Sequence, residues 1–488
     1  MGEVLSPVRQ HEVAAALRAF LPARAVLFDE EDTRPYECDG LTAYRQVPMV
    51  VALPETEEQV QRVLKTCAAL GVSVVPRGAG TGLSGGALPL GDGVLLSMAK
   101  FMRVLHVDPL ARLAVVQPGV RNAVISEVAA PFGLYYAPDP SSQIACTIGG
   151  NVAENSGGVH CLKYGLTVHN VLGVRGFTID GEPLVLGADG PGYDLLALAI
   201  GSEGMLFVVT EVTVKLLPKP QCARVIMASF DEVENAGAAV AAVIAAGIIP
   251  AGLEMMDKPA TRAVEQFVGA GYDLDAAAIL LCESDGSEEE VADEIERMKA
   301  VLETAGAARM TVSRDEAERL RFWSGRKAAF PAMGRVSPDY YCMDGTIPRK
   351  RLGEVLRFIA EMEKKYGLRC PNVFHAGDGN LHPLILFDAN DPEELHRTEL
   401  FAAEVLEKCV AVGGTITGEH GVGVEKINQM CVQFRRDELD LFLAVKRAFD
   451  PRGLLNPGKA VPTLARCAEY GRMHVHGGKL PHPDLPRF

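Results

Sequence analysis

The chain has 488 residues, of which 48% are hydrophobic, and a formal net charge of −15. This length exceeds what one hydrophobic core usually organises, so two or three domains are expected. The acidic balance argues against a nucleic-acid partner, because phosphate binding needs a basic face and none is visible. Eleven scattered cysteines, an odd number without a CxxC motif, argue against a disulfide framework, a zinc ribbon or an iron–sulfur site in this chain.

Nothing in the sequence indicates export or a membrane span. The N-terminus carries acidic residues and no long apolar core, so no signal peptide is expected. The longest apolar stretch, around Ala236 to Ala251, is too short to cross a bilayer. We therefore expect a cytoplasmic protein and leave open a peripheral attachment at the inner face of the membrane.

The first half of the chain opens with an α/β pattern and continues with short strands. Apolar spacing predicts a helix over 8–20, and acidic residues in a first turn predict another over Glu55–Leu70. Short apolar runs at Met49–Pro54 and Val72–Pro76 flank that second helix and predict strands. Further β-rich runs lead to a Pro-Lys-Pro turn at Pro218–Pro220, where a domain boundary is expected.

The second half predicts strands and helices in alternation. The run VIMASF and the stretch Ala276–Gly286 are typical of strands. This alternation predicts an α+β domain with an open antiparallel sheet. The final twenty or so residues, rich in His, Pro and Gly, predict a loose tail. Helices are expected at 231–246, 288–304, 393–412 and 437–449.

The most unusual local sequence is a glycine-rich loop, PRGAGTGLSGG, at Pro76–Gly86, in which five of eleven residues are glycine. Glycine lets backbone N–H groups converge on an anion without a Cβ in the way, so such a loop suits a pyrophosphate. The loop contains a formal GxGxxG, but a Rossmann loop must open into a helix, and ALPLGDG follows here. A glycine-rich turn without a ligand stays open from this loop alone.

Two further glycine-containing segments favour a long ligand. PDPSSQIACTIGGNVAENSGG, at Pro138–Gly158, is rich in Gly, Ser and Asn, for which a buried core gives little reason. GSEGMLFVVTEVTVKL, at Gly201–Leu216, is a glycine turn that leads into a strand. Loops of this kind in one domain predict a ligand that runs between them, and a dinucleotide has the necessary length.

Together these three segments resemble the FAD-binding domain of the vanillyl-alcohol oxidase/PCMH flavoprotein superfamily. The resemblance implies that the first loop wraps the FAD diphosphate and that the second lies along the ribityl and isoalloxazine parts. Some relatives carry a histidine in the first loop that bonds covalently to the flavin, whereas this chain has Thr81, so a non-covalent FAD is implied. The implied cofactor-binding residues are Pro76, Arg77, Gly78, Ala79, Gly80, Thr81, Gly82, Ser84, Pro138, Thr147, Gly150, Asn151, Ser156 and Gly157.

Two histidine-containing segments follow in the second half. NVFHAGDGNLHP places His375 and His382 seven residues apart around a GDGN turn that could bring both imidazoles to one face of a hairpin-like loop. ITGEHGVGVEK places Glu419 and His420 side by side. Two imidazoles and a carboxylate have the inventory of a metal site with open positions, and a fourth residue is left as a base. Taken alone, the HxxxxxxH spacing favours core or solvated histidines over a metal site.

Joined to the glycine loops, these two motifs resemble the C-terminal domain of the D-lactate dehydrogenase, D-2-hydroxyglutarate dehydrogenase and glycolate oxidase flavoproteins. The resemblance implies that His375, His382 and Glu419 ligate a divalent metal, with zinc favoured. It assigns His420 as the general base.

Two more segments resemble the same family. The run WSGRKAAFPAMGRVSPDYYCMDGTIP offers Arg326 for the substrate carboxylate, with a surface or interdomain salt bridge as the alternative. RAFDPRGLLNPGK implies a return of the chain to the flavin, with Asn456 nearby. The implied fold class is α+β: a two-subdomain PCMH-type FAD-binding domain, then an α+β substrate or cap domain with an antiparallel sheet and a C-terminal helical return to the flavin. The implied limits are 1–45 for an N-terminal helical segment, 46–220 for the FAD-binding domain, 221–460 for the substrate domain and 461–488 for the tail.

The implied activity is FAD-dependent oxidation of a small D-2-hydroxy acid, with glycolate favoured. The metal acidifies the hydroxyl, His420 takes its proton, a task suited to a group titrating near neutrality, and the C2 hydride passes to flavin N5. No cysteine cluster in this chain can take the electrons onward. The implied acceptor is an iron–sulfur subunit with a second flavin-type subunit, or a quinone, an electron-transfer flavoprotein or a cytochrome.

Three alternatives stay open at this point. The first is a stand-alone D-lactate or D-2-hydroxyglutarate dehydrogenase. The second is a non-catalytic flavin-binding subunit, which should lack both histidine segments. The third, a metal hydrolase, would leave the glycine loops unexplained.

Overall fold

The computed structural model describes residues 7–187, 190 and 192–462. Its strands are β1 (Val26–Leu27), β2 (Val50–Ala52), β3 (Val74–Arg77), β4 (Val94–Ser97), β5 (Val104–Asp108), β6 (Leu113–Val116), β7 (Leu134–Tyr135), β8 (Val171–Phe177), β9 (Pro183–Gly187), β10 (Val208–Lys215), β11 (Leu217–Pro218), β12 (Cys222–Phe230), β13 (Gly252–Asp257), β14 (Ala278–Gly286), β15 (Arg309–Val312), β16 (Asp339–Cys342), β17 (Asn372–His375) and β18 (Asn380–Phe387).

Its helices are α1 (Pro7–Arg18), α2 (Glu30–Thr33), α3 (Glu57–Leu70), α4 (Asn122–Ala129), α5 (Ile148–Glu154), α6 (Cys161–Tyr164), α7 (Thr167–Asn170), α8 (Leu195–Ala199), α9 (Val233–Ala245), α10 (Lys258–Val268), α11 (Glu288–Thr304), α12 (Glu316–Lys327), α13 (Ala329–Met333), α14 (Leu352–Tyr366), α15 (Pro392–Ala411), α16 (Met430–Gln433) and α17 (Arg436–Phe449).

The predicted strand–helix–strand opening is β2–α3–β3. Strands β2 and β3 both pair in parallel with β4, and β1 joins the edge antiparallel to β2. Helix α3 forms here because Thr56 caps its N-terminus and Gly71 ends it at a φ of 64°. Its buried positions, Val60, Val63 and Leu64 among them, recur at helical spacing and face the sheet.

A second sheet of the first half has the order β5-β6-β10-β8-β9, and all its pairs are antiparallel. Helix α5 packs on its β10 strand. The two sheets of this half correspond to the two subdomains that the resemblance predicts.

The second half is built on a seven-stranded sheet with the order β15-β12-β14-β13-β17-β18-β16. Every pair in it is antiparallel, so the predicted antiparallel sheet is confirmed. Alternate residues of β12 enter different cores, with Ile226 and Ala228 on one face and Val225 and Met227 on the other. Helices cover both faces, with α9 and α11 in the first core and α10 and α12 in the second, and the inner strands β13, β14, β17 and β18 are buried nearly throughout.

The chain returns to the first half after α17, as predicted. Leu455 pairs with Val74 in a parallel bridge and is buried in the core around β2–β4. The predicted tail lies outside the described residues except for Val461 and Pro462. Within the described ranges, no helix combines the length and apolarity that a bilayer crossing requires.

Candidate active site

A cleft of about 480 Å³ lies where the two halves of the chain meet. Its walls come from the first glycine loop, the second glycine-rich segment, the GSEG turn and both histidine segments. The predicted residues that line it are Pro76, Arg77, Gly78, Ala79, Gly80, Thr81, Gly82, Thr147, Gly150, Asn151, Ser156, His375, His382, Glu419 and His420.

The first two glycine segments lie close together. Gly80 has a φ of 72°, a backbone conformation that favours glycine. A Cβ at Gly78 would collide with the Thr147 hydroxyl of the second segment, so only glycine permits this approach. The guanidinium of Arg77 lies 5.8 Å from the centre of the Tyr36 ring and adds a positive charge at this end of the cleft.

Part of the second segment is helical rather than a loop. Residues Ile148–Glu154 form α5, which follows Thr147 at its N-cap and has its first turn on the cleft. Three side-chain atoms on this wall, Thr147 Oγ1, Asn151 Nδ2 and Glu154 Oε2, are buried without a hydrogen-bond partner in the described chain. Buried polar atoms are normally paired, so this wall fits a ligand rich in hydrogen-bonding groups.

Four other predicted cofactor residues lie behind the wall of the cleft. The Ser84 hydroxyl donates to the carbonyl of His420 at 2.9 Å. Asn456 Nδ2 donates to the carbonyls of Gly86 and Glu203 at 3.0 and 2.7 Å. The remaining two are Pro138, whose carbonyl accepts from Asn122, and Gly157, where a Cβ would lie 2.6 Å from Glu419 Oε2.

The histidine segment folds as the expected hairpin, because β17 and β18 pair antiparallel around the GDGN turn. The rings of His375 and His382 have centroids 5.0 Å apart. Both Nε2 atoms point to Glu419 Oε1, at 3.1 and 3.0 Å. Donor atoms of all three residues lie within 4.8 Å of one another, and this set of two imidazoles and a carboxylate fits a divalent metal.

The far sides of the two imidazoles are held by fixed partners. His375 Nδ1 lies 2.8 Å from Glu254 Oε1, and His382 Nδ1 lies 3.0 Å from the carbonyl of Met343. Such partners favour a proton on Nδ1 and leave Nε2 to act as a ligand. Burial alone would raise the pKa of Glu419, but the imidazoles of His375 and His382 outweigh it and hold that pKa well below its usual range.

His420 stacks on His382, with ring centroids 4.8 Å apart and an interplanar angle of 11°. Its Nδ1 is buried and has no hydrogen-bond partner within the described residues. Burial lowers the pKa of His420 to about 4, below the near-neutral value expected from the sequence. The imidazole is therefore neutral at physiological pH and can accept a proton.

Arg326 does not line the cleft. It is 1% exposed, and its Nε donates to Glu254 Oε2 at 2.7 Å, so the residue forms a buried ion pair behind His375. Its Nη1 is buried and has no hydrogen-bond partner among the residues that the structure describes. The neighbouring Lys327, which the sequence reasoning missed, is exposed and lines the cleft.

Asp344 was not among the residues predicted from the sequence, although its hydrogen bonds hold the segment that carries Glu419 and His420. Its fully buried carboxylate accepts from the Thr417 hydroxyl, the Lys426 ammonium at 3.0 Å, and the backbone N–H groups of residues 418–420 at 2.9–3.1 Å. Burial would raise the pKa of Asp344, but the charges of Lys426, His420 and His382 together outweigh it and hold that pKa well below its usual range. One detectable signal was an aspartate directly after the apolar run YYCM.

The fold and the cleft define an FAD-linked oxidoreductase, and comparison with known proteins agrees. Residues 48–187 match the family model "FAD binding domain", and residues 219–460 match "FAD linked oxidases, C-terminal domain". Among solved structures, p-cresol methylhydroxylase with substrate bound has a TM-score of 0.81 at 16% identity, with 95% of this chain and 99% of that chain covered. An alkyldihydroxyacetonephosphate synthase has a TM-score of 0.72 at 18% identity, with 92% and 84% covered.

Comparison with curated proteins shows which FAD-linked oxidases the chain resembles in sequence. The chain is 63% identical over 487 residues to glycolate oxidase subunit GlcD of Escherichia coli (strain K12), covering 99% of this chain and 98% of that protein. It is 38% identical to GlcD of Bacillus subtilis (strain 168), with 88% and 93% covered. It is 32% identical to D-lactate dehydrogenase of Archaeoglobus fulgidus, with 93% and 99% covered. The chain belongs to the FAD-linked oxidase family and is an FAD-dependent oxidoreductase.

Proposed function

We propose that this enzyme oxidises a small D-2-hydroxy acid to the 2-oxo acid, with glycolate as the favoured substrate and glyoxylate as the product. The observation that carries the proposal is the 63% identity to a glycolate oxidase subunit, which extends over 99% of this chain. The D-lactate dehydrogenase of Archaeoglobus fulgidus is 32% identical, so a stand-alone D-lactate or D-2-hydroxyglutarate dehydrogenase is the second candidate. A non-catalytic subunit is disfavoured because both histidine segments are present and reach the cleft.

His420 is the proposed general base. Oxidation at C2 removes a proton from the hydroxyl oxygen and a hydride from the carbon, and FAD bound in the cleft supplies the hydride acceptor. The support for this role is that the His420 ring stacks on His382 and that its Nδ1 has no hydrogen-bond partner among the described residues, so a nitrogen is free to take the hydroxyl proton. The Asp344 carboxylate holds the backbone of Glu419 and His420 in place by accepting hydrogen bonds from their N–H groups.

His375, His382 and Glu419 are the proposed ligands of a divalent metal, with zinc favoured, which would polarise the substrate hydroxyl. Support comes from the three donors that converge within 4.8 Å and from the fixed partners behind both imidazoles. A second donor group, Cys342 with His382 and His420, shares one histidine with this set. We favour the first set because it leaves His420 available as the base.

Arg326 remains the proposed partner of the substrate carboxylate, because its buried Nη1 still has donor capacity. Lys327 is the second candidate, since it is the neighbouring cation that reaches the cleft. Through Glu254, Arg326 also holds His375, so its proposed role includes positioning this ligand.

We further propose that FAD is held without a covalent bond by the cofactor residues named from the sequence. Thr81 lines the cleft in the loop where relatives with a covalent flavin have histidine, and its hydroxyl does not form flavin linkages of that kind. The domain limits of 46–220 and 221–460 are part of the same proposal, as is the separation of a 1–45 segment and a 461–488 tail. Acid precipitation should release all of the yellow cofactor into the supernatant; flavin that stays with the pellet would contradict the non-covalent assignment.

The electrons are proposed to leave through a separate acceptor. Relatives of this chain are named as subunits of glycolate oxidase, which favours an acceptor on a further subunit. The proposed acceptor is an iron–sulfur subunit together with a second flavin-type subunit. A quinone, an electron-transfer flavoprotein or a cytochrome is the alternative acceptor. The proposed location is cytoplasmic, with peripheral attachment at the inner face of the membrane as an option.

Anaerobic bleaching of the bound flavin tests the substrate proposal directly. Glycolate and D-lactate should bleach the flavin, glycolate more efficiently, while L-lactate should not, and a chelator should slow the reaction. The variant His420→Ala should keep FAD and respond to dithionite but lose bleaching by glycolate, whereas His106→Ala, at an exposed histidine, should behave as wild type. Bleaching by L-acids alone would refute the stereochemistry, and wild-type bleaching in His420→Ala would refute the base.

A further inference from the structure

Glu154 is a carboxyl group on the cleft wall that the mechanism does not use. It is the last residue of α5, and its side chain lies between the first glycine loop and the segment after His420. A Cβ at Gly86 would lie 2.7 Å from Glu154 Oε1, and a Cβ at Gly421 would collide with Oε2. Two glycines therefore make room for this carboxyl group.

The Oε2 atom of Glu154 is buried and has no hydrogen-bond partner in the described chain. The neighbouring Glu203 differs in this respect, because its two oxygens accept from the backbone N–H groups of Val422 and Gly423, both at 2.7 Å. Both carboxyl groups line the same cleft and approach the same glycine, Gly421. One of them is equipped to carry a negative charge and the other is not.

The charges around Glu154 and Glu203 indicate which of the two carboxyl groups holds a proton more readily. Burial raises the pKa of Glu154 well above its usual range, and the negative charges of Glu203, Asp39 and Asp344 raise it further, while Lys426 opposes them. Burial raises the pKa of Glu203 as well, but its backbone donors and two lysines oppose that effect. Of the two, Glu154 is therefore the carboxyl group that holds a proton more readily.

We propose that Glu154 is a neutral carboxylic acid that donates a hydrogen bond to the bound flavin and thereby raises its reduction potential. Reduction adds negative charge to the flavin, and a donor on the wall of the binding site stabilises the reduced form more than the oxidised form. A carboxylate at the same place would act in the opposite direction. The proposal rests on FAD in this cleft and is independent of which hydroxy acid is oxidised.

The test is the flavin midpoint potential of the holoprotein, measured with a chemical reductant and without substrate. Glu154→Leu should shift the equilibrium towards oxidised flavin by about tenfold or more, which lowers the potential of a two-electron couple by about 30 mV. Glu154→Gln, which keeps an N–H donor, should shift it less. Glu127→Gln, at an exposed helix position, is the control and should not shift it. An unchanged or raised potential in Glu154→Leu would overturn the proposal.

A second measurement keeps the proposal testable if Glu154→Leu fails to bind FAD. Reduced-minus-oxidised infrared spectra of the wild type should contain a carbonyl band of a protonated carboxyl group that moves when the flavin is reduced. Glu154→Gln is close in shape and uncharged, so it should fold, bind FAD and lack that band. Persistence of the band in Glu154→Gln, or its absence in the wild type, would refute the assignment. Because neither measurement uses glycolate, failure here is distinct from failure of the proposed substrate.

Discussion

Replacement of Asp344 by asparagine should damage both the stability of the protein and the geometry of its base. The wild-type carboxylate accepts hydrogen bonds from five donors on residues 417–420 and Lys426, and both members of the Asp344–Lys426 pair are 0% exposed. Loss of one partner of a buried ion pair costs about 3–5 kcal/mol, because the other charge stays buried. That is a large share of the 5–15 kcal/mol by which proteins of ordinary stability resist unfolding. In the asparagine variant, the side-chain NH2 group would also face the N–H donors that the wild-type carboxylate accepts.

The same variant should lower the rate of flavin bleaching by substrate on the order of 10²-fold, since a shift of about 1 Å at the base has that effect. Urea unfolding and anaerobic stopped-flow bleaching measure the two effects, with Asp92→Asn, at an exposed aspartate, as the control. A double variant, Asp344→Asn with Lys426→Met, removes both buried charges. It should regain part of the stability but none of the rate. Wild-type stability and rate in Asp344→Asn would refute the positioning role.

Three further outcomes are expected. Glu419→Ala should lower the divalent metal content measured by mass spectrometry while FAD stays bound; unchanged metal content would exclude this residue as a ligand. Arg326→Met should cost about 3–5 kcal/mol in urea unfolding, because it strands the buried carboxylate of Glu254, whereas Lys327→Met should leave stability unchanged and raise the KM for glycolate. Equal stability of these two variants would contradict the buried ion pair. The pKa of His160 lies well above its usual range, because two neighbouring carboxylates outweigh the opposing effect of burial. Its stabilising contribution should therefore be complete below about pH 6.5 and fall as the pH rises towards the folded-state pKa, so the stability advantage of wild type over His160→Gln should shrink at alkaline pH. A pH-independent difference would contradict this.

Local patterns predicted the elements whose signals are complete within a few turns. Helix α11 has the predicted bounds of Glu288–Thr304, because Ser287 and Glu290 form a capping box and its apolar positions recur at helical spacing. The hairpin of β17 and β18 followed from the GDGN turn in the same way. In these segments the residues that decide the structure are neighbours in the sequence.

Helix α5 was not predicted from the sequence, because tertiary contacts override the local preference of its residues. Residues Ile148–Glu154 contain two adjacent glycines, which disfavour a helix. The helix forms because Gly149 lies against Pro118 and donates its N–H to the Pro118 carbonyl at 2.9 Å, an approach that a Cβ would block. Such a contact between distant residues leaves no periodic signal.

The sequence by itself determined the chemical inventory of this protein: glycine loops that suit a dinucleotide, and the histidine segments that supply the proposed metal ligands and the proposed base. Only the tertiary structure decided how these groups are used. It paired Arg326 with Glu254 behind His375, placed the Asp344 carboxylate against the backbone N–H of His420, and buried His420 so that its pKa falls to about 4. The physical reason is that residue type fixes what a group can do, whereas burial and partners that are 70 or more residues away fix its charge and direction.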